Sequence, residues 1–393
     1  MTILTAFTLS ACLFSLPQSQ DPPWEKVERG LQQAIQYLLK VQNEDGSWGH
    51  WRKPESEFWS NPETHKAWQA ATTGLACLAL MENDSGDEVK LSLNRGLDFL
   101  LQNAAVKRPS DWDTDNTWAY VYSLAALTRA GKYFEGPESQ AEQRRKQCQQ
   151  AGEAVLEQLY LYQAANGGWA YYAFDTLARR PFWGTSFQTA VAVLAMLEAK
   201  ELGWKVDEDR LKRAVAAIRS CRLPSGAYTY SVELFPSPGG LEYIDQVKGS
   251  LSRIQVCNLA LHRASQFKLD PGIPQAERRR GLELFFKHHR FLDVARKKPI
   301  PHEAYYFNSG YFYFFGHYYA AQVLAELAPS DQRRLAPQLW GEVLKCQEKD
   351  GSMWDYYIND FGRPYGTAYG VLTWSHSRPT QRSHQQSPQN GQE

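Results

Sequence analysis

Asp111, Asp113 and Asp115 alternate through the stretch Asp111-Trp112-Asp113-Thr114-Asp115-Asn116-Thr117-Trp118. A carboxyl group beside another carboxylate in an apolar cavity keeps its proton at neutral pH and can serve as a general acid. Asp113 and Asp115 are the candidate pair for such chemistry. The same residue types also begin helices, where an Asp, Thr or Asn side chain accepts from free backbone N–H groups. The helix macrodipole favours the ionised carboxylate there, which is the wrong direction for an acid. Of the two roles, the cap is the one expected of Asp115, with the acid kept as the catalytic alternative.

Other polar and aromatic side chains stand near the starts of apolar stretches: His65, Trp118, Gln188, Arg253, Tyr311 with His317, and Tyr369. Singly, each reads as a cap or a core polar group. If the starts converge, they form a concave, aromatic, sparsely polar mouth of the kind that binds ligands. The run Tyr311-Phe312-Tyr313-Phe314-Phe315-Gly316-His317-Tyr318-Tyr319 places aromatics on every face of a helix. Some of them must point inward, either to hold a cationic or apolar guest or to fill the interior. His317 has the plainer reading of a core histidine bonded to a tyrosine or a backbone carbonyl. No D-x-C, C-x-x-C or H-E-x-x-H pattern occurs, so neither zinc nor any cofactor is expected.

The elements that would bring these residues together are announced by a repeat. Gln42-Asn43-Glu44-Asp45-Gly46-Ser47-Trp48 is echoed by Gln163-Ala164-Ala165-Asn166-Gly167-Gly168-Trp169. Degraded copies run from Cys221 to Tyr228 and from Gln347 to Trp354. In the phrase the Gln closes a helix, the Asp/Asn-Gly pair turns the chain, and the aromatic packs back; the Cys221 copy lacks both the Gln and the Asp/Asn, and the last places its Trp one residue late. Helical periodicity marks six amphipathic segments, at 27–41, 89–103, 146–165, 208–221, 275–293 and 331–347. They alternate with six more uniformly apolar ones, at 65–81, 115–130, 185–201, 250–265, 309–327 and 364–375. An amphipathic helix covers a surface and a uniformly apolar one is buried. Repeats of this sort must stack to bury their apolar faces. Almost no β-sheet is expected.

The phrase resembles the QW repeat of terpenoid cyclases and the related repeat of protein prenyltransferase β subunits, over residues 27–376. The resemblance implies an all-α fold, a single α/α toroid of six helical hairpins spanning 21–376. It also implies a role for Asp115, because class II cyclases carry D-x-D-D-T at the start of an inner helix, with the middle Asp as proton donor. This chain departs from that motif at Asn116, and it has one barrel's worth of helices where squalene-type cyclases use two. The prenyltransferase zinc ligands and the G-C-G-E-Q of thioester proteins are absent. Three functions follow as expectations: a cyclase-like protein binding an apolar, isoprenoid-like or peptide ligand; a non-enzymatic binding or scaffold protein using the toroid mouth; and a secreted glycan hydrolase or lyase with paired carboxylates or a Tyr/His pair at the mouth. The QW-like phrase disfavours the third.

The chain's 393 residues hold 43 Lys+Arg and 43 Asp+Glu. Zero net charge argues against a nucleic-acid partner, which needs a basic footprint. Residues 1–20 read as an export signal: Ile3 to Leu16 is apolar, too short to span a bilayer, and no other segment could span one. Leu9-Ser10-Ala11-Cys12 resembles a bacterial lipoprotein box, which would anchor an exported, periplasmic or secreted protein to a membrane surface through Cys12. The other five cysteines are scattered and predict no disulfide framework. Residues 377–393 read as a polar, disordered tail.

Overall fold

The structure, a computed structural model, describes residues 22–50, 62–107, 115–134, 139–171, 183–232 and 243–379. The chain alternates outer and inner helices. The outer ones are α1 (Trp24–Lys40), α3 (Asp87–Asn103), α5 (Ser139–Leu161), α7 (Glu208–Ser220), α9 (Gln275–Lys287) and α12 (Pro329–Leu344). The inner ones are α2 (Pro62–Met81), α4 (Asn116–Tyr133), α6 (Ser186–Glu201), α8 (Leu251–Gln266), α11 (Phe312–Ala325) and α13 (Gly362–His376). A short helix, α10 (Arg290–Ala295), follows α9, so the fifth outer segment is broken at His288-His289. Each inner helix packs on the next, and α13 packs on α2, closing the ring. Among the described residues there is no strand, only isolated bridges such as Trp169 with Thr185.

Burial follows the two patterns of the sequence. In α1 only Val27, Gly30, Leu31, Ala34, Ile35 and Leu38 are buried, a single stripe. In α11 every residue from Phe312 to Ala321 is buried. The helix breaks at His288-His289, and the aromatic phrases explain how the layers are joined. The Trp48 indole N–H donates to the Leu38 carbonyl at 2.8 Å, and its backbone N–H donates to Thr73 Oγ1 of α2 at 3.0 Å. Trp169 repeats both bonds, to Leu159 O at 2.9 Å and Thr189 Oγ1 at 3.0 Å. In the third turn Tyr228 holds this place, bonding Ser250 Oγ at 3.0 Å, and in the fourth Met353 does, bonding Thr367 Oγ1 at 2.9 Å. Trp354 is thereby displaced outward, under the Lys297 ammonium.

The glutamine does more than close its helix. Gln42 Nε2 donates both to Gly46 O within its turn and to Ser92 O of the next outer helix. Gln347 Nε2 donates to Gly351 O and to Gly30 O, so the last turn is tied to the first helix. The turn itself needs φ of +88° at Gly46 and +87° at Gly167, Gly226 and Gly351, which glycine adopts without a Cβ clash. The fold extends slightly past the predicted end of the toroid, since Ser377 is buried and accepts from the Trp340 indole at 3.0 Å. The predicted export signal, including Cys12, and the tail from 380 onward lie outside the described residues. No described helix is long and apolar enough to cross a membrane. Cys77, Cys148, Cys221, Cys257 and Cys346 are free and buried.

Candidate functional site at the mouth of the toroid

Because outer and inner helices alternate in direction, all outer-to-inner connections gather at one end of the ring. There the N-termini of the inner helices form the mouth. Two places past the packed residue of each turn stands a side chain near that mouth. These residues are His50, Tyr171, Tyr230 and Asp355, and two of the four, Tyr171 and Tyr230, enter the network described next.

Tyr171, Tyr230, Tyr311 and His302 form a hydrogen-bonded chain. Tyr171 and Tyr230 hydroxyls lie 2.5 Å apart, Tyr230 and Tyr311 3.4 Å, and Tyr311 lies 3.2 Å from His302 Nε2. His302 Nδ1 is 2.7 Å from the Phe307 carbonyl, which can only accept, so Nδ1 carries the proton and Nε2 offers its lone pair. Burial holds the His302 pKa below its ordinary value, keeping the ring neutral. The direction of the chain is then set: Tyr311 donates to His302, Tyr230 to Tyr311, and Tyr171 to Tyr230. Burial also raises the pKa of Tyr230 and Tyr311, so both stay protonated. The connection carrying His302 is strained, with left-handed φ of 63° at His302, 58° at Tyr306 and 54° at Phe307. Such strain in non-glycine residues costs free energy and clusters at functional sites.

Asp355 lies beneath this chain, fully buried. Its Oδ2 accepts from the Phe314 backbone N–H in the first turn of α11 at 2.9 Å, and its Oδ1 accepts from the Tyr365 hydroxyl. Burial pushes its pKa up to about 6 against the lowering effect of those bonds. Tyr356 follows it, 5.9 Å from Tyr311 between ring centroids, and also lines a cavity of about 410 Å³ at the seam between the last hairpin and the first. That volume is in the range of small-molecule sites, ~300–1,000 Å³. Tyr37, Asn43, His50, Tyr357, Asp360 and Arg363 are among its walls.

Below the mouth, rings stack down the lumen. Trp118, half-buried, lies 5.8 Å from Tyr122 and 6.2 Å from Phe187. Phe187 meets Phe312 at 5.1 Å and Phe315 at 6.0 Å. Deeper still, the hydroxyls of Tyr122 and Tyr369 bond each other. These rings are in contact, so the aromatics of α11 that face inward fill this part of the barrel.

The residues singled out from the sequence fall in different places. Tyr311 and Trp118 are at the mouth, and Tyr369 is deep in the lumen. His65, in the first turn of α2, stacks on Phe361 at 5.7 Å. Gln188 is fully buried and donates to Thr117 Oγ1 at 2.9 Å, bracing α6 against α4. Arg253, 1% exposed, donates to the carbonyls of Tyr228 and Ile244 and lies 5.4 Å under the Tyr230 ring, so it holds the mouth connection in place. His317 faces the outer layer, away from the mouth. Its Nδ1 bonds the Tyr313 carbonyl at 2.7 Å, and burial lowers its pKa to about 3. Asp113 lies outside the described residues. Asp115 is buried at the start of α4, but its side chain makes no cap hydrogen bond to that helix, contrary to the expected cap. Its own backbone is helical, at φ −60° and ψ −20°, whereas a capping side chain reaches back from an extended residue.

A family model described as the squalene-hopene cyclase C-terminal domain matches residues 10–124, a span holding the first turn phrase and the Asp113-Thr114-Asp115 stretch. The chain is an α/α toroid, and the first part of its sequence is similar to that cyclase domain. Among solved structures, the toroid matches an α-1,6-mannanase of Salegentibacter with TM-score 0.54 and 11% identity, over 89% of this chain and 98% of that one. It matches an unsaturated glucuronyl hydrolase specific for heparin with TM-score 0.53 and 13% identity, over 90% and 97%. A type II terpene cyclase from Scytonema matches with TM-score 0.48 and 16% identity, over 90% and 97%. At such identities the likeness is one of fold. No curated protein matches the sequence.

Proposed function

We propose that the protein binds an acidic glycan at the toroid mouth and cleaves it by proton abstraction and elimination, with Tyr311 and His302 as the acid–base pair. The observation that carries this reading is the directed hydroxyl chain ending on a neutral histidine in a strained connection. A substrate proton taken at the Tyr311 oxygen sends the Tyr311 proton on to His302 Nε2. Tyr171, at the other end of the chain, gives a proton to the departing glycosidic oxygen. The proton held by His302 then returns through Tyr311 and Tyr230 to Tyr171, and the network is restored. The cavity beside Tyr356 suits a sugar: Tyr37 and Tyr357 offer flat faces, Asn43 offers an amide, and Arg363 offers a partner for a uronate carboxylate. The mannanase and the glucuronyl hydrolase, whose names are those of glycan-active proteins, share the fold.

A second reading keeps the apolar or peptide ligand, with Asp115 as acid and Asp113 beside it. It is favoured by the cyclase family model over 10–124 and by the half-exposed Trp118 above the lumen rings. Incubation with a panel of uronic-acid oligosaccharides separates the two. The glycan reading expects ultraviolet absorbance from an unsaturated product, lost in Tyr311→Phe while binding by calorimetry persists. No binding and no product across the panel, together with an isoprenoid co-purifying with the protein, would put the cyclase-like reading in its place.

A further inference from the structure

The break between α9 and α10 turns His289 inward, onto α12 and away from the mouth. Its imidazole is 7% exposed. Nδ1 lies 3.1 Å from Asp293 Oδ2, four residues along, and 3.3 Å from Glu342 Oε2 on α12. On the other side, Nε2 lies 3.0 Å from His317 Nε2, and His317 Nδ1 lies 2.7 Å from the Tyr313 carbonyl. Hydrogen-bond roles in this row are forced. The carbonyl accepts, so His317 Nδ1 carries hydrogen and His317 Nε2 accepts from His289 Nε2–H. His289 Nδ1 then faces two carboxylate oxygens that can only accept. Something positive must stand between them. Glu342 Oε2 is itself buried without a hydrogen-bond partner, while Oε1 of the same carboxylate takes Lys345 Nζ at 2.8 Å.

We propose that this group is a divalent metal site of the zinc class, with His289 Nδ1, Asp293 and Glu342 as ligands. The three ligand atoms all lie within 4.8 Å of one another. Tetrahedral zinc with bonds of ~2.0–2.1 Å separates its ligand atoms by roughly 3.3 Å, close to both nitrogen–oxygen distances here. One imidazole nitrogen and two carboxylate oxygens are a donor set that suits a zinc-class 2+ ion, with Lys345 on the outer oxygen of Glu342. His317 supplies what a ligating histidine needs behind it, an acceptor that fixes the tautomer and aims Nδ1 at the metal. The ion would clamp α10 to α12 and so lock the break in the outer layer. No spacing motif announces it, because the third ligand comes from another helix; the expectation of no zinc rested on such motifs alone.

The test is titration of the dialysed full chain with Co²⁺, whose low-coordinate complexes absorb strongly in the visible, followed by displacement with Zn²⁺. One saturable site per chain is expected, with a rise in melting temperature on Zn²⁺ addition that EDTA reverses. Asp293→Asn, at a half-exposed position, should lower the affinity at least tenfold without harming the fold, and Glu342→Gln should do the same. His317→Ala should weaken binding about 10- to 100-fold while contacting no metal, and His317→Gln, which keeps an acceptor, should recover part of it. Absence of a saturable Co²⁺ signal at about 100 µM, or affinity indifferent to both carboxylate variants, overturns the site and leaves a proton on His289 as the bridge.

Discussion

The two ends of the ring are built on opposite principles. At the far end, where inner helices finish, the connections are short, such as 82–86, 202–207 and 326–328. Cations gather there, as helix C-termini favour, and three are matched by carboxylates: Arg129 pairs with Glu82, Arg263 with Glu326, and Lys132 with Glu201 at 2.8 Å. Even Glu198, whose pKa burial raises, lies under the pull of Arg129 and Arg263. At the mouth the connections are long, such as 162–185 and 221–250, and the central groups are neutral hydroxyls and an imidazole in a strained segment. Paired charges fix positions. A chain of neutral donors and acceptors can move a proton without moving a helix. The proposed chemistry lies at the end opposite these paired charges, and substitutions should separate the two.

The largest effect is expected from Trp48→Ala. It deletes a fully buried indole and the bond that joins a mouth connection to its outer helix, and should cost about 3–5 kcal/mol. Denaturant unfolding that shows a neutral change would mean the turns do not hold the mouth. Next is Tyr311→Phe. It breaks the hydroxyl chain in the middle and should lower turnover about 10²-fold or more, with an unchanged melting temperature. A matching loss of stability would instead make the chain structural.

Acid should act on the two ends in opposite senses. His376, at the far end, is held at about 4 and His317 at about 3 by burial, against an ordinary 6.5. Their lowered values stabilise the fold fully above pH 6.5, and that contribution is lost as pH falls toward 4, because the unfolded chain takes up protons first. Asp355 at the mouth runs the other way. Raised to about 6 from 3.8, its contribution is present below 3.8 and lost as pH rises through 6. Urea midpoints should therefore fall between pH 6.5 and 4, less steeply in His376→Asn and more steeply in Asp355→Asn. A slope unchanged by His376→Asn would remove that residue from the account. Because burial lowers the His302 pKa from its ordinary 6.5, turnover should fall off only at a pH below that of an exposed histidine. The smallest effect belongs to Lys132→Met, which breaks an exposed pair with Glu201. It should change stability by under about 0.5 kcal/mol and leave turnover untouched.

Much of the fold was legible in the residues. All twelve predicted segments are helices, with the outer and inner sets as expected, because burial on one stripe or on all faces is written in the local pattern. The missed features were those of phase and partnership. Tyr171, Tyr230 and Asp355 each stand two residues past the packed residue of their turn, a signal present in the repeat but visible only after Tyr228 and Met353 are aligned with Trp48 and Trp169. His302 has no repeat to announce it. The expected cap at Asp115 failed because a helix start assigned from residue type says nothing of the preceding backbone torsion.

What the sequence determined alone is the ring: periodic apolar faces must stack, and the glycine turns with their glutamines and aromatics set the joints between layers. What only the tertiary structure decided is which polar groups meet. Tyr311 finds His302 through a left-handed loop, and His289 finds Glu342 across a helix break. Gln188 and Arg253, marked as ligands by position, brace neighbouring elements, and each keeps one buried polar atom, Gln188 Oε1 and Arg253 Nη1, without a hydrogen-bond partner. Burial is a property of local pattern, but a hydrogen bond needs two partners placed to within a fraction of an ångström, and that placement comes from the closed ring as a whole.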